Sequence, residues 1–232
     1  MNKRKPLWQS FLMYILAFSL YIFLFTSNLR LLATRTWVIM EQKRAGVAEE
    51  TQFSDKELKE IDAKVLRFMN SGELFPSITV MQNGKEVKVF KAREVSHLYD
   101  VQGIFRVFSW TRSISIFLLL VLIFLLVAGN RDRKRLIYGY SSRAGLFFLA
   151  TVGGLFLFVL LAFNLFFTEF HQLVFAPGTW IFGSGEILPQ LFPERFWLES
   201  ALALTAACIA ETVLVIFIFR ELRFSLEGKK RF

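Results

Sequence analysis

The sequence predicts an all-α membrane protein with four transmembrane helices, both termini in the cytoplasm, and a small extracytoplasmic α+β cap of one helix and a β-hairpin. Three observations predict it. Hydrophobic residues make up 54% of the 232-residue chain, with 28 Phe among them, more than one soluble core of this length buries without large apolar patches outside. They collect in four blocks long enough for the roughly 20 helical residues that cross hydrocarbon. The positive charges cluster at alternate ends of those blocks, as in membrane proteins whose short Lys/Arg-rich segments stay inside.

The first span is 7–28, behind Lys3, Arg4 and Lys5. Its basic flank resembles a secretory signal. The apolar stretch is too long for one, and Thr26-Ser27-Asn28 before Leu29 offers no small-x-small cleavage site, so it reads as a retained anchor. The other spans are 113–129, 144–167 and 196–219. Between the second and third, the cytoplasmic loop 130–143 carries Arg131, Arg133, Lys134, Arg135 and Arg143 against Asp132. After the fourth come Arg220, Arg223, Lys229, Lys230 and Arg231 against Glu221 and Glu227. These cytoplasmic segments hold thirteen cations and three acids, more net charge than the +9 of the whole chain. The extracytoplasmic aromatic loop 169–195 instead carries Glu169, Glu186 and Glu194 against Arg195, with Glu199 just beyond. The basic charge is thus a topology signal, and nucleic acid is not an expected partner.

Three regions follow: 1–28 (N-terminal segment and first span), 29–111 (extracytoplasmic cap domain) and 112–232 (the remaining spans with their two loops). In the cap domain, Ser54 followed by Glu57 forms a capping-box pattern. Leu58, Ile61, Val65, Leu66 and Met69 recur at helical spacing until Asn70-Ser71-Gly72. The alternating segments 77–81 and 86–90 flank Asn83-Gly84, a strong hairpin signal.

A single cysteine, Cys208, excludes an internal disulfide or thiolate cluster, and two histidines leave little for a metal site. No metal or cofactor is expected. Both histidines fall at the predicted outer boundary. On a helix, Glu94, His97 and Asp100 share a face, so a carboxylate could hold one ring nitrogen of His97. Asn164, Thr168 and His171 share one by the same argument. The residues admit two readings: interfacial side chains with polar tips, or a functional pair. Glu211 lies inside the fourth span, roughly 22 Å inward from Phe196 at 1.5 Å per residue, which places it in the inner half with a loop Arg as its expected partner. Cys208 reads as a small packing residue. The run 175–182 with Pro189, Pro193, Phe196 and Trp197 is rigid and aromatic, either a membrane-interface belt or the wall of a lipid-accommodating groove.

Two segments carry a family resemblance. Phe170-His171-Gln172-Leu173-Val174-Phe175-Ala176-Pro177-Gly178-Thr179-Trp180-Ile181-Phe182, closed by Leu191-Phe192-Pro193-Glu194-Arg195-Phe196-Trp197, resembles a signature of the lipoprotein intramolecular transacylase (Lit) family of bacterial membrane proteins. Arg93-Glu94-Val95-Ser96-His97-Leu98-Tyr99-Asp100-Val101 resembles its Arg-Glu-x-x-His-x-x-Asp-Val element. The order of spans, cap and motifs is similar too.

The resemblance implies an enzyme acting on diacylglyceryl-modified lipoproteins at the outer leaflet. It would move the sn-2 acyl chain onto the α-amino group of the lipoprotein's own N-terminal Cys, giving an N-acyl, S-monoacylglyceryl lyso-form, with membrane lipid around the substrate. It implies catalytic roles for His97 and His171, with Arg93, Glu94, Asp100 and Trp180 in support; Asn164 joins the supporting set from its shared helix face with His171. A non-catalytic accessory that binds an extracytoplasmic partner, and a lipid hydrolase, are the alternatives.

Overall fold

A computed structural model describes residues 7–82, 85–183 and 185–228. The Asn83-Gly84 turn, Ser184 and the terminal cations Lys3, Arg4, Lys5, Lys229, Lys230 and Arg231 lie outside the described residues. The chain is mostly helical: α1 (Leu7–Leu32), α2 (Arg35–Arg44), α3 (Val47–Thr51), α4 (Asp55–Ser71), β1 (Thr79–Gln82), β2 (Lys85–Lys88), α5 (Ala92–Val127), α6 (Arg131–Leu161), α7 (Phe163–Val174), α8 (Leu188–Leu191) and α9 (Glu194–Gly228). Four of these, α1, α5, α6 and α9, are long and apolar enough to cross a membrane.

The predicted spans survive with shifted ends. Helix α5 has 36 residues, about 54 Å of helix against about 30 Å of hydrocarbon. Its first turns therefore lie outside the apolar layer, and the His97 motif is continuous with the second span. The segment 130–143 is helical from Arg131, because Asn130 Oδ1 accepts from the Arg133 N–H at 3.0 Å and caps α6. The third span stops at Leu161 and not at Phe167. Ala162 breaks the helix at φ −146°, ψ 50°, where Phe158, Phe163, Phe166 and Phe167 pack ring against ring.

The chain divides into two compact units. One consists of 1–28, 110–157 and 204–232. Its core gathers Ala17, Tyr21, Ala144, Phe148, Val152 and Cys208, the last wholly buried as a packing residue. The Tyr21 hydroxyl donates to the Ser141 carbonyl at 2.8 Å. Among the clustered cations, Arg131 donates to the Leu226 carbonyl, and Arg135 and Arg223 both bind Glu227. Glu211 departs from expectation. Its partner is Asn28, whose side-chain amide donates to the carboxylate at 2.7 Å, and not an Arg. Asn28 lies four residues before the end of α1, so Glu211 sits level with the end of α1 remote from Leu7. Counting from Phe196 misplaced it because α9 begins at Glu194 and its first turns belong to the other unit.

The second unit comprises 29–109 and 158–203. Ser54 and Glu57 form the predicted capping box, with Ser54 N–H donating to the Glu57 carboxylate at 2.9 Å. Gly72, at φ +70°, ends α4 in the left-handed conformation that suits glycine. Leu58, Ile61, Val65 and Met69 are buried. They pack with Phe68, Ile78, Val89, Phe90, Leu98, Leu188 and Leu191 into one core. Strands β1 and β2 pair antiparallel with Val80 opposite Val87. Asp62 is fully buried on α4, where burial pushes its carboxyl up to about 6 while the Gln42 amide, donating at 3.0 Å, opposes the shift. The same amide reaches the Leu191 carbonyl at 3.2 Å. One side chain thereby ties α2 to both α4 and α8.

Candidate functional site

The two histidines are 74 positions apart in sequence, and the second unit brings them together. His97 comes from the second turn of α5 and His171 from the last turn of α7. Their rings lie 6.3 Å apart between centroids and 20° from parallel. Phe175, just past α7, fills the angle between them at 4.7 Å from His97 and 5.2 Å from His171. Phe182 meets His97 nearly edge-on at 5.3 Å. Phe167 at 4.0 Å and Trp180 at 4.9 Å close the side of His171.

This aromatic enclosure controls the chemistry of both rings. His97 is 7% exposed. Burial, with a smaller contribution from the neighbouring His171, pushes its imidazole down to about 4. His171 is also lowered by burial, opposed by its hydrogen bond to the Phe167 carbonyl. Both rings are therefore neutral at physiological pH. His171 Nδ1 lies 2.7 Å from the Phe167 oxygen, one turn back on α7. A carbonyl only accepts, so His171 carries its proton on Nδ1, and its Nε2 lone pair has no partner among the described residues. His97 Nδ1 is buried and has no hydrogen-bond partner among the described residues.

The other expected residues divide. Trp180 is at the site. Arg93 is exposed and stacks its guanidinium 5.3 Å over the Phe182 ring, one residue removed from the histidines. Glu94 is fully buried, but its carboxylate accepts from the Lys91 N–H at 2.8 Å and the Leu188 N–H at 2.7 Å. It does not hold His97. Asp100 is exposed and does not bond to His97 either. Each three-residue step turns the helix by about −60°, so two steps carry Asp100 about 120° away from Glu94. Asn164 shares a face with His171 but is exposed, two turns away along α7. Phe175 and Phe182 lie in the aromatic run 175–182, for which the sequence offers a groove wall as one of two readings, while no sequence signal marks Phe167.

Comparison with known proteins gives the arrangement a lineage. The family model described as lipoprotein intramolecular transacylase Lit matches residues 14–197, which include both histidines. No curated protein matches the sequence significantly. Among solved structures, the membrane-integral lipoprotein intramolecular transacylase Lit from Bacillus cereus is similar at a TM-score of 0.75 and 16% identity, covering 97% of this chain and 99% of that one. Two single-histidine variants of that protein also match at 16% identity. The alanine variant gives a TM-score of 0.70 with 96% of both chains covered, and the arginine variant 0.69 with 95% of this chain and 92% of that chain. At this identity the structural likeness carries the fold, and the family model carries the family. With four apolar helices, a paired-histidine site and a family match over most of its length, this multi-pass membrane protein belongs to the lipoprotein intramolecular transacylase family.

Proposed function

We propose that the chain transfers the sn-2 acyl group of a diacylglyceryl lipoprotein to the α-amino group of that lipoprotein's own N-terminal Cys. The observation that carries this reading is the stacked His97–His171 pair inside an aromatic wall, with one nitrogen of each ring without a hydrogen-bond partner among the described residues. The amine attacks the ester carbonyl, a C–N bond forms, the bond between the carbonyl carbon and the glyceryl oxygen breaks, and the amine proton ends on the glyceryl oxygen. His171 acts as the base, because its Nδ1–H is committed to Phe167 and Nε2 is free. The α-ammonium has an ordinary pKa of about 8, so the base need only remove a proton from a modest acid. His97 is held neutral by burial and donates a hydrogen bond to the oxyanion. The attack closes an eight-membered ring, which freezes several torsions of a flexible chain. The rigid rings of Phe175, Phe182 and Trp180 suit a site whose main task is to hold the folded-back conformer and exclude water.

Substrate and product are isomers in this scheme. Purified protein given only a diacylglyceryl lipopeptide in detergent should return a product of unchanged mass, whose fragments show an amide-linked acyl chain and a free glyceryl hydroxyl. Gain of an acyl mass from added phospholipid would replace this reading with an intermolecular transferase. Loss of an acyl mass to water would replace it with a hydrolase.

The same proposal places the termini in the cytoplasm, with 29–111 as an extracytoplasmic cap and the histidine site on the outer side. It is supported by the cations at Arg131, Arg133, Lys134 and Arg135, against the acidic 169–199 segment. In a Cys208→Ala background, Lys59→Cys should react with a membrane-impermeant maleimide on intact cells, and Arg133→Cys only after lysis. The reverse pattern would invert the topology.

A further inference from the structure

We infer that Glu94 is a positioning residue. Its carboxylate pins the backbone at Leu188 to the first turn of α5 and so keeps the Phe182 side of the aromatic wall packed on His97. This rests on the functional reading above and assigns Glu94 a role different from that of a histidine partner.

Glu94 is fully buried, and a buried carboxylate is costly unless hydrogen-bonded. Here it is bonded twice. One oxygen accepts from Lys91 N–H at the start of α5, one of the helix's otherwise unpaired first donors. The other accepts from Leu188 N–H, 94 residues on. Charge-assisted bonds of this length are the strong kind. Two further contacts from the same turn reach the same stretch: Lys91 Nζ donates to the Gly185 carbonyl at 2.8 Å, and Arg93 stacks on Phe182. Three neighbouring side chains thus grip a stretch that has little regular hydrogen bonding of its own between Phe175 and α8. That stretch supplies Phe182, whose ring shields His97.

The consequence is readable at His97. The groups facing it are Phe175 and Phe182 from the loop, His171 from α7, and Arg93 only across the Phe182 ring. Glu94 and Asp100 on its own helix do not bond to it. Its low pKa is therefore chiefly a measure of how well the wall excludes water. Glu94→Gln keeps the shape but offers one acceptor oxygen, and sets an NH2 against the second backbone N–H.

The chain has two histidines, so ring-labelled histidine NMR in detergent resolves both, with His171→Gln to assign them. In Glu94→Gln, His97 should titrate well above its wild-type position of about 4, toward the ordinary 6.5. Turnover should fall about tenfold at pH 8, and further at about pH 5.5, where a solvated His97 becomes charged and weakens the base His171, 6.3 Å away between ring centroids. If Glu94→Gln does not fold, Glu94→Asp takes its place. It keeps the charge but is one methylene too short to reach both donors, and should give a smaller shift of the same sign. A wild-type His97 titration in the folded variant overturns the assignment. The titration is read without substrate, so a wild-type protein inactive on the lipopeptide would sink the functional reading alone.

Discussion

Replacing either histidine with Ala should lower turnover of a diacylglyceryl lipopeptide by about a hundredfold or more, the usual yield of a positioned general acid or base. His171→Ala removes the free Nε2 and the Nδ1–H bond to Phe167. His97→Ala removes the proposed oxyanion donor. It also empties a volume that is 7% exposed and packed against Phe175 and Phe182. An interfacial side chain would be lost at little cost to the fold, but a buried His97 adds a packing cost to the catalytic one. His97→Gln, which fills most of the space, is therefore the companion variant, and thermal unfolding in detergent should accompany each rate. Glu211→Gln can still accept from Asn28 and is expected to retain most activity. A histidine variant that folds and turns over within a few-fold of wild type would remove that residue from the mechanism.

Gly145→Ala should be among the most damaging single-methyl additions in the membrane-spanning unit. A Cβ at Gly145 would collide with the hydroxyl of Tyr21 and lie 2.8 Å from its Cζ and 2.7 Å from Ile216 Cγ1. Neither residue has room to move. Tyr21 is fully buried, its hydroxyl is committed to the Ser141 carbonyl, and its ring stacks on Phe148 at 5.5 Å. Ile216 is 6% exposed. Small residues let helices approach closely in membranes, where packing contributes much of the association energy. Overpacking of this kind costs about 1–3 kcal/mol, and the better helix propensity of Ala, about 1 kcal/mol, offsets only part of it. The melting temperature in detergent should drop by several degrees. Adding Tyr21→Phe removes the worst contact, so the double variant should be less destabilised than the two single losses predict. A Gly145→Ala protein that melts with wild type would show that α1, α6 and α9 are not packed as described.

The amino-acid sequence by itself determined the features that depend on near neighbours. The four apolar blocks follow from composition over about 20 residues, and the Ser54–Glu57 capping box and the β1–β2 pairing from signals within ten. The two histidine motifs were legible as a family resemblance, because the residue types around His97 and His171 are distinctive even when their geometry is unknown. What the tertiary structure decided is everything that depends on partners far along the chain. Glu94 looked like a partner for His97 because helical spacing allows it. It bonds Leu188 because an unpaired backbone donor, brought by a loop 94 residues later, sits within reach of a buried carboxylate. Glu211 found Asn28, 183 residues away, in place of an arginine. The break at Ala162 carries no Pro or Gly to announce it, and accompanies packing among phenylalanines that helical periodicity treats as interchangeable. The depressed pKa of His97 belongs to the same class: an imidazole is set by how much water its surroundings admit, and those surroundings are assembled from α5, α7 and the 175–182 loop only when the chain folds.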